Sequence, residues 1–392
     1  MRIKVTGSLS IVADEQIPLA EQAFSKFGNV TLVDGRSINN SLIKNTDILL
    51  VRSVTKVNEL LLKNSNLKFL GSATSGVDHI DIDYLKSSKI YFSYSPGSNS
   101  QSVAEYVLNS LIVAKKKSCI PFSKMKVGII GFGHIGSKVK KIMDIFGSHC
   151  LLNDPILSNQ RKDEIFTELE EVLQSDVVTL HVPLTKDCDY PTYNLVNEIF
   201  LKKLKPNVIF INTSRGEVID EEALLAFKMD NPESVLVLDV WRNEPNINTS
   251  LLSQAFIKTP HIAGYSHEGK INATENLFNQ LNHFCGTNFT FSELYIPNNI
   301  RLSPEMNGSK YDVESIISQH WNILEDNIST DYYNNLAIKD RAKYYDSLRK
   351  NYSTRYEYAS RTIEFSYGID MTAFDNTVQN NLEKLGFKLN IK

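Results

Sequence analysis

The sequence has little cysteine, little net charge and no long apolar run, and each shortage excludes a class of protein. Its 392 residues include four cysteines, which are scattered and form no C-x-x-C pair, so neither a disulfide framework nor a zinc site is expected. The 42 lysines and arginines nearly balance the 45 aspartates and glutamates, for a net charge of −3. This balance gives no reason to expect a nucleic acid or an anionic membrane surface as partner. No apolar run approaches the roughly 20 residues that span a bilayer.

The N-terminus also lacks the features of a secretory signal. Residues 1–7 lead directly into a strand-like pattern, without an apolar core followed by small residues at a cleavage site. Together with the reduced thiols that scattered cysteines imply, this predicts a cytoplasmic protein. Apolar residues make up 42% of the chain and charged residues 22%, which is typical of a soluble globular protein.

The chain is longer than one hydrophobic core usually supports, so more than one domain is expected. Two series of short β-rich runs alternate with amphipathic stretches, a pattern typical of βαβ units and parallel sheets. The strands predicted in the first series are Ile3–Thr6, Val30–Val33, Asp47–Val51, Lys68–Gly71 and Lys89–Phe92. Those of the second series are Lys126–Ile130, Cys150–Asn153, Val177–Leu180, Val208–Asn212 and Val235–Val240.

The predicted fold class is α/β, with two doubly wound parallel-sheet lobes and a small C-terminal α+β dimerisation domain. The first lobe, flavodoxin-like and substrate-binding, comprises residues 1–100 and 267–287. The second is an internal Rossmann lobe of residues 101–266, and the C-terminal domain comprises residues 288–392. Helices near 101–117 and 267–284 would join the lobes, with a cleft between them.

The C-terminal region is rich in tyrosine, asparagine and charge. It is predicted to form helices over Tyr311–Asp326 and Ala337–Lys350 and a strand over Thr362–Tyr367. Its apolar faces are too few for a generous core of their own, so we expect a homodimer, since two-fold dimers are the commonest assemblies. The cations in the run from Arg349 to Arg355 are interpreted as a solvated basic face, with contact to a phosphate in the partner's cleft as the alternative.

A glycine-rich turn, Gly131-Phe132-Gly133-His134-Ile135-Gly136, follows an apolar run and opens a helix-like stretch. In this context the first glycine permits a tight turn, the second lets the backbone approach a pyrophosphate, and the third permits close helix–strand packing. The amides at the start of the helix add donors for the phosphates. The turn predicts a dinucleotide site formed by Gly131, Gly133, His134, Ile135 and Gly136.

Asp154 ends the next predicted strand, about 20 residues after the glycine turn, where an acidic side chain can accept from ribose hydroxyls. Its charge would repel the 2′-phosphate of NADP, so NAD is the predicted cofactor. The alternative is a strand–helix turn with no ligand, and the strand, the helix and the acidic residue together count against it.

Three polar residues follow later strands in an order that indicates redox chemistry on a hydroxy acid. Arg215 follows the strand at Val208–Asn212, and a guanidinium at a strand's carboxyl end can grip a substrate carboxylate. Glu244 follows the last strand of the second series, and His261 follows the β-like run Ala255–Lys258. A neutral imidazole can take the proton of a secondary alcohol while a neighbouring carboxylate orients it. Taken singly, each residue has a structural alternative.

The first lobe offers two polar segments directly after predicted strands. One contains Arg52 and Ser53, and the other, Ala73–Asp78, contains Thr74. Their hydroxyls and amides, together with the Arg52 guanidinium, could bind an anionic or polyhydroxylated substrate. Turn capping is the alternative interpretation.

These motifs resemble, in kind and in order, the D-isomer-specific 2-hydroxyacid dehydrogenase family. The matching segments are the glycine turn, Leu180–Thr185, Asn212–Gly216, Trp241–Pro245 and Thr259–Gly264. Narrower features point to one member of the family, whose substrate is a phosphorylated 2-hydroxy acid. These are Leu50–Asn58, Ala73–Asp81, Asp189–Tyr193, His261–Gly269 and a tail of about one hundred residues that contains Leu348–Tyr352.

The resemblance implies a set of site residues. Arg215, Glu244 and His261 would be catalytic, with His261 as proton donor and acceptor. The substrate residues would include Ser53, Thr74 and Tyr265, and residues near NAD would include Asp154, Val182, Asp239 and Gly264; we place Thr213 with the latter. Two departures from the family pattern concern the edge of the cleft: Lys115–Ser123 is shorter than the corresponding loop, and Tyr190 stands where a histidine is expected.

The predicted function is NAD-dependent oxidation of a phosphorylated 2-hydroxy acid at C2. One alternative is the same chemistry on another 2-hydroxy acid, such as phosphoglycerate or glycerate. A second is an NAD-sensing interaction protein without useful turnover. The complete set of Arg215, Glu244 and His261 counts against a sensor, which needs only the glycine turn and Asp154.

Overall fold

A computed structural model describes residues 8–292, 294, 300–303, 311–365 and 375–391. Its strands are β1 (Leu9–Asp14), β2 (Gly28–Val33), β3 (Ile48–Val51), β4 (Phe69–Ser72), β5 (Tyr91–Tyr94), β6 (Lys126–Ile130), β7 (His149–Asn153), β8 (Val177–Leu180), β9 (Ile209–Asn212), β10 (Val235–Leu238), β11 (Ile257–Lys258), β12 (Ile300–Leu302), β13 (Arg361–Phe365) and β14 (Lys388–Ile391). Its helices are α1 (Ala20–Phe24), α2 (Asn40–Ile43), α3 (Glu59–Leu62), α4 (Ile82–Ser87), α5 (Ser100–Ser118), α6 (His134–Ile145), α7 (Leu169–Val172), α8 (Glu198–Leu201), α9 (Glu221–Asp230), α10 (Thr249–Gln254), α11 (His267–Cys285), α12 (Val313–His320), α13 (Ile323–Asp331), α14 (Ile338–Lys350) and α15 (Asn376–Leu385).

The chain divides into two compact units. The first comprises residues 1–99 and 266–298, and the second residues 100–265 and 299–392. In this division the C-terminal residues fall in one unit with the Rossmann sheet. The division into three domains stays a prediction.

The first unit is built on a five-stranded parallel sheet in the order β2-β1-β3-β4-β5, the strand order of flavodoxin-like folds. Alternate residues of each strand face opposite sides. Ile11 and Leu50 pack with Phe24 and Phe278 of α1 and α11, whereas residues such as Leu49 pack with α2, α3 and α4. Because both faces are covered at the centre of the sheet, β3 is a continuous apolar run.

The first strand of this sheet differs from its prediction. β1 is Leu9–Asp14 and pairs with β2 and β3, whereas the predicted strand Ile3–Thr6 lies outside the described residues. Both runs are short and apolar, so periodicity alone could not decide between them.

The second unit contains a six-stranded parallel sheet in the order β11-β10-β9-β8-β6-β7. A parallel bridge joins Leu152 of β7 to Phe166, so the segment at Phe166 lies next to β7 at the edge of the sheet. If the strands are numbered along the chain from β6, with the Phe166 segment as the third, their order is the 3-2-1-4-5-6 of a Rossmann fold. β11 lies beyond the sixth of these strands. The predicted class, α/β with two parallel sheets and a small C-terminal sheet, is confirmed.

The C-terminal elements pack on the Rossmann sheet. Ile316 and Ile317 of α12 and Leu382 of α15 share a core with α5 and α6 on one face, and Tyr333 and Tyr345 join the core on the other. β12, β13 and β14 form a separate three-stranded parallel sheet. Within the described ranges, no helix combines the length and the apolar character needed to cross a membrane.

One prediction for the C-terminal region needs correction. The helix expected over Tyr311–Asp326 is broken at Trp321, whose backbone is extended, and Asn322 caps a new helix through Leu324 N. The predicted strand Thr362–Tyr367 corresponds to β13, and residues 366 and 367 lie outside the described residues. β12, α15 and β14 were not predicted.

Candidate active site

The glycine turn joins β6 to α6. Gly131 has a φ of +88°, and a Cβ there would lie 2.5 Å from the carbonyl oxygen of His181. A Cβ at Gly136 would lie 2.1 Å from the carbonyl oxygen of Gly131. These two positions therefore require glycine for the protein's own packing.

At Gly133, the protein's own packing does not require a glycine. It precedes the first residue of α6, is exposed, and an added Cβ would meet no atom within 4 Å. That open space is what a pyrophosphate needs to approach the backbone and the first amides of the twelve-residue α6. The turn fits a dinucleotide, with the exposed His134 and half-buried Ile135 beginning the helix.

Asp154 lies just beyond the carboxyl end of β7. Its Oδ2 accepts from Phe132 N at 2.9 Å and its Oδ1 from Leu157 N at 2.9 Å. The carboxylate thus ties the glycine turn to the loop after β7. Each oxygen keeps a second lone pair, which can accept from a ribose hydroxyl.

The segments after β8 and β9 lie side by side at this edge. The Ser214 hydroxyl accepts from Val182 N at 3.2 Å and donates to Leu180 O at 2.7 Å. Val182 and Thr213, both predicted near NAD, thus follow neighbouring strands of the sheet.

His181 has a structural role. Its Nε2 contacts the Thr179 hydroxyl at 3.0 Å and its Nδ1 contacts the Thr213 hydroxyl at 3.3 Å. Burial lowers the pKa of His181 to about 3, so the ring stays neutral at physiological pH. It cannot serve as an acid–base group there.

Arg215 follows the carboxyl end of β9, where the sequence predicted it. Asn212 Nδ2 donates to the carbonyl oxygen of Arg215 at 3.0 Å, and the Arg215 guanidinium donates to Ser214 O at 2.7 Å. A Cβ on the adjacent Gly216 would lie 2.0 Å from the carbonyl carbon of Trp241. Gly216 therefore lets the Arg215 loop touch the segment that leads to Glu244.

Glu244 and His261 form a direct pair. His261 Nδ1 lies 2.8 Å from Glu244 Oε2, and Glu244 Oε1 accepts from Trp241 N at 2.9 Å. A carboxylate only accepts hydrogen bonds, so the imidazole hydrogen sits on Nδ1 and Nε2 keeps its lone pair. The neutral ring is thereby held in the tautomer that can accept a proton at Nε2.

The Glu244 carboxylate stays ionised despite its surroundings. Its side chain is 17% exposed and that of His261 is 31% exposed. Burial opposes ionisation, but the charge of His261 in its protonated form, the charge of Arg349 and the hydrogen bonds from His261 and Trp241 lower the pKa of Glu244 below its ordinary value. The pair is therefore electrostatically prepared to stabilise an imidazolium.

Asp239 holds the loop that carries His261. Its Oδ1 accepts from Thr259 Oγ1 and Ile262 N, both at 2.7 Å, and its Oδ2 accepts from Ala263 N at 3.0 Å. His261 has a φ of +58°, which costs a residue other than glycine about 1–2 kcal/mol. The buried Asp239 clamp offsets this cost, and its predicted contact with NAD stays a prediction.

Tyr265 and Gly264 follow the clamped loop. Tyr265 N donates to Ile262 O at 2.8 Å, and its ring lies 6.0 Å from that of Tyr352, edge to face. Arg349 Cζ lies 5.7 Å from the Tyr265 ring centroid. The ring of Tyr265, a predicted substrate residue, thus packs against C-terminal side chains.

The predicted substrate residues of the first unit follow two adjacent strands, β3 and β4. Arg52 begins a turn in which Thr55 N donates to Arg52 O at 3.1 Å, and Ser53 is exposed. These residues lie in the first unit, whereas Arg215, Glu244, His261 and Tyr265 lie in the second.

A chain of hydrogen bonds fixes Thr74. Its hydroxyl donates to Gly76 O at 2.7 Å and therefore accepts from Ser72 Oγ at 2.7 Å. Ser72 Oγ in turn accepts from His79 Nε2 at 3.0 Å. Because its hydrogen is already committed, Thr74 can offer a substrate only a lone pair or its backbone amide.

The interpretation of the basic run as a solvated face is wrong for Arg355. This side chain is 6% exposed, its Cζ lies 4.1 Å from the Trp321 ring centroid, and it donates to Ser102 and Ala263. Arg349 is half-buried beside Tyr265. Sequence reasoning missed both, since only distant parts of the chain supply their partners.

Comparison with known proteins agrees with this geometry. Residues 101–263 match the family model described as D-isomer specific 2-hydroxyacid dehydrogenase, NAD binding domain. A D-lactate dehydrogenase from Aquifex aeolicus, solved with NAD and lactic acid, has a TM-score of 0.60 and 26% identity over 71% of this chain and 96% of its own. An NAD+-bound 3-phosphoglycerate dehydrogenase from Entamoeba histolytica has a TM-score of 0.62 and 27% identity over 72% of this chain and 97% of its own. The chain is an NAD-dependent dehydrogenase, as the sequence predicted.

Two curated relatives are similar over almost their whole length. Erythronate-4-phosphate dehydrogenase of Wigglesworthia glossinidia brevipalpis is 40% identical over 97% of this chain and 98% of its own. The enzyme of the same name from Hahella chejuensis is 37% identical over 98% of this chain and 100% of its own. The chain therefore belongs to the erythronate-4-phosphate dehydrogenase family, within the D-isomer-specific 2-hydroxyacid dehydrogenases.

Proposed function

We propose that this enzyme oxidises 4-phospho-D-erythronate at C2 to 2-oxo-3-hydroxy-4-phosphobutanoate, a step of pyridoxal phosphate biosynthesis. The observation that carries the proposal is the Glu244–His261 pair, 2.8 Å apart, in the unit that also holds the glycine turn. The relatives that match over the full length bear the name of this reaction.

In the proposed reaction, His261 Nε2 accepts the proton of the C2 hydroxyl. NAD held at the glycine turn and Asp154 would supply the acceptor for the hydride of the same carbon. The C2–H and O–H bonds break, the carbonyl forms, and the imidazolium is stabilised by the Glu244 carboxylate. In the reverse direction His261 returns the proton to the oxygen.

Arg215 is proposed to hold the substrate carboxylate. A guanidinium grips a planar carboxylate with two parallel hydrogen bonds and places positive charge beside the adjacent C2 oxygen. Its position after β9 suits this role, because Gly216 brings its loop against the segment that leads to Glu244. Ser53, Thr74 and Tyr265 are the further substrate residues that we propose, with Arg52 as an added cation.

The direct test is NADH formation by purified protein with a panel of 2-hydroxy acids. We expect 4-phospho-D-erythronate to give the highest kcat/KM, above 3-phosphoglycerate, glycerate and lactate. A higher kcat/KM for an unphosphorylated acid would overturn the proposed substrate. NAD binding without turnover of any of these acids would favour the alternative of an NAD-sensing interaction protein.

We also propose that the enzyme is a homodimer that closes on its C-terminal helices. Four large apolar side chains of α13, α14 and the turn between them are solvent-accessible: Leu324 is 38% exposed, Ile328 71%, Tyr332 52% and Ile338 80%. A two-fold interface would cover them. The substitution Ile328→Asp should yield monomers by light scattering, whereas Ile165→Asp, a control at an 88% exposed site, should not. A monomeric wild type at micromolar concentration would refute the assembly.

We propose the cytoplasm as its compartment, because all four cysteines, which lie among the described residues, are free thiols of the kind that a reducing compartment maintains.

A further inference from the structure

Two side chains of the C-terminal region contact the loop that carries His261. The Arg355 guanidinium donates to Ala263 O, and the Tyr352 ring packs edge to face on the Tyr265 ring, with centroids 6.0 Å apart. All of these residues belong to the second compact unit. The C-terminal region thus contacts the loop at positions two and four residues after His261.

Arg355 and Tyr352 lie outside the family domain, which matches residues 101–263. The solved lactate and phosphoglycerate dehydrogenases align with only 71–72% of this chain, although 96–97% of their own length is covered. Part of this chain therefore has no counterpart in them. The contacts of Arg355 and Tyr352 with the loop thus come from beyond the NAD-binding domain.

The carbonyl oxygen of Ala263 is the point that Arg355 holds. Ala263 is 1% exposed, so its carbonyl needs a hydrogen-bond donor inside the protein. It accepts from Ser102 Oγ at 2.9 Å as well as from Arg355, which also donates to Ser102 Oγ. Asp239 Oδ2 accepts from Ala263 N at 3.0 Å. The loop is therefore held at this residue through both the amide and the carbonyl.

Trp321 fixes the guanidinium of Arg355. Arg355 Cζ lies 4.1 Å from the Trp321 ring centroid, and an arginine stacks well on the face of a tryptophan. Trp321 Nε1 donates to Asp326 Oδ2 at 3.0 Å, and the Tyr352 hydroxyl donates to the same oxygen at 3.0 Å. These four residues form one connected cluster, which we call the loop brace.

The position of His261 depends on a well-held loop. Its φ of +58° is a left-handed conformation, which a residue other than glycine keeps only where the surrounding structure maintains it. In the proposed reaction, Nε2 of this ring must meet the C2 hydroxyl of the substrate. A misplacement of about 1 Å can cost roughly 10²-fold in rate. A looser loop would therefore slow the reaction while the acid–base pair itself remained complete.

We propose that the loop brace positions the catalytic loop: Arg355 holds the segment that places the His261 imidazole, and Tyr352 holds the ring of Tyr265. This role rests on the proposed function of His261 and Tyr265. The residues of the brace act through the loop and are positioning residues.

The first test compares Arg355→Met and Arg355→Lys with Arg361→Met. The control residue, Arg361 of β13, stacks on Tyr356 with its Cζ 5.2 Å from the ring centroid. Arg355→Met keeps an apolar side chain beside Trp321 but removes the donor to the loop, and it should lower kcat roughly 10–100-fold below its melting temperature. Arg355→Lys retains a cationic donor and should recover part of this loss, whereas Arg361→Met should have the kcat of the wild type.

The second test separates the ring of Tyr352 from its hydroxyl. Tyr352→Leu removes the ring contact with Tyr265 and should raise KM for every 2-hydroxy acid, because Tyr265 is a proposed substrate residue. Tyr352→Phe loses only the bond to Asp326 and should raise KM less. The control is Tyr344→Phe, which removes a hydroxyl that donates to Ser329 O at 2.8 Å and should leave KM unchanged.

Amide hydrogen exchange of the cofactor-free protein tests the brace without turnover. The loop amides are bonded in the wild type, as is that of His261 to Asp239 O at 2.7 Å, so their exchange reports opening of the loop. In Arg355→Met, residues 259–265 should exchange at least about tenfold faster, with exchange of β8 unchanged. If Arg355→Met does not fold, Arg355→Lys takes its place, and its loop should also exchange faster than that of the wild type.

Three outcomes would overturn the proposal. One is wild-type exchange of the loop in the folded Arg355 variant. Another is kcat within about twofold of wild type for that variant, together with an unchanged KM for Tyr352→Leu. The third is a higher KM for phosphorylated acids alone in Arg355→Met, which would make Arg355 a substrate contact. An inactive wild type whose loop opens in the Arg355 variant would refute the proposed function and support the brace.

Discussion

The substitution Glu244→Gln tests the acid–base pair most directly, because it removes one charge and keeps the shape. In the wild type, Oε1 accepts from Trp241 N at 2.9 Å and Oε2 accepts from His261 Nδ1 at 2.8 Å. A glutamine has one oxygen and one NH2 group for these two positions. Its oxygen must face the Trp241 amide, since two donors cannot bond each other.

The NH2 group then faces His261 Nδ1, which has to become the acceptor. The ring hydrogen moves to Nε2, and Nε2 can no longer take a proton from the substrate. Restoring the reactive tautomer requires the amide to flip, which leaves the Trp241 amide unpaired at about 1–3 kcal/mol. The imidazolium formed in the reaction also loses a carboxylate worth up to about 4 kcal/mol at 4 Å and an effective dielectric of 20.

These two costs overlap, and together they predict a barrier higher by about 3–5 kcal/mol. That corresponds to a loss of roughly 10²–10⁴-fold in kcat. The assay is the absorbance of NADH formed from 4-phospho-D-erythronate across a range of pH, with NADH binding measured separately and expected to be unchanged. Glu222→Gln, the same change at an exposed site, is the control.

The pH profile should change together with the rate. In the direction of alcohol oxidation, wild-type activity should fall at low pH because a protonated His261 cannot accept the substrate proton, and the Glu244 carboxylate favours that protonated form. The glutamine variant lacks this negative charge, so its low-pH limb should move to lower pH. Turnover within about threefold of wild type, with the same low-pH limb, would refute the pairing of Glu244 with His261.

Four further predictions concern the rest of the site. His261→Ala should cut kcat roughly 10²–10⁴-fold and leave NADH binding nearly intact by fluorescence titration; near-normal turnover would remove this residue from the mechanism. Arg215→Lys should impair both KM and kcat with every 2-hydroxy acid tested, because an ammonium cannot form the paired grip; an effect on phosphorylated acids alone would place the arginine at the phosphate. Gly133→Ala should weaken NAD binding at an unchanged melting temperature, whereas Gly131→Ala should destabilise the fold by about 1–3 kcal/mol, and equal melting temperatures would contradict this contrast. Asp154→Ala should relax the preference for NAD over NADP in steady-state kinetics, and an unaltered ratio would locate that selectivity elsewhere.

The features that the sequence predicted well are those that local physics determines. The central strands of the Rossmann sheet are buried on both faces, which gives continuous apolar runs such as Val235–Leu238. The glycine turn follows from the steric demands at Gly131 and Gly136. The positions of Arg215 and Glu244 after two of these strands were predicted from the apolar runs that precede them, and their roles at a ligand site stay predictions.

The features that the sequence did not predict depend on distant partners. The left-handed backbone of His261 is maintained by Asp239, 22 residues earlier in the chain. Arginine usually lies at the protein surface, but Arg355 is buried against Trp321 and Ser102. The break between α12 and α13 at Trp321 lies inside a stretch with a continuous helical pattern, and only the cap at Asn322 marks it.

The position of α12 and α15 against α5 and α6 has a consequence for biosynthesis. α5 and α6 have both been synthesised when the ribosome reaches Ile145. Leu385 of α15, which shares their core, is synthesised roughly 240 residues later. At about 5–20 residues per second, the surface that α15 covers stays uncovered for roughly 10 to 50 seconds. A nascent chain stalled before α12 would already possess its glycine turn, while the part of α5 that α12 covers would still be exposed to other proteins. Ribosome stalling in this interval should therefore yield aggregates or chaperone-bound chains rather than a smaller active enzyme.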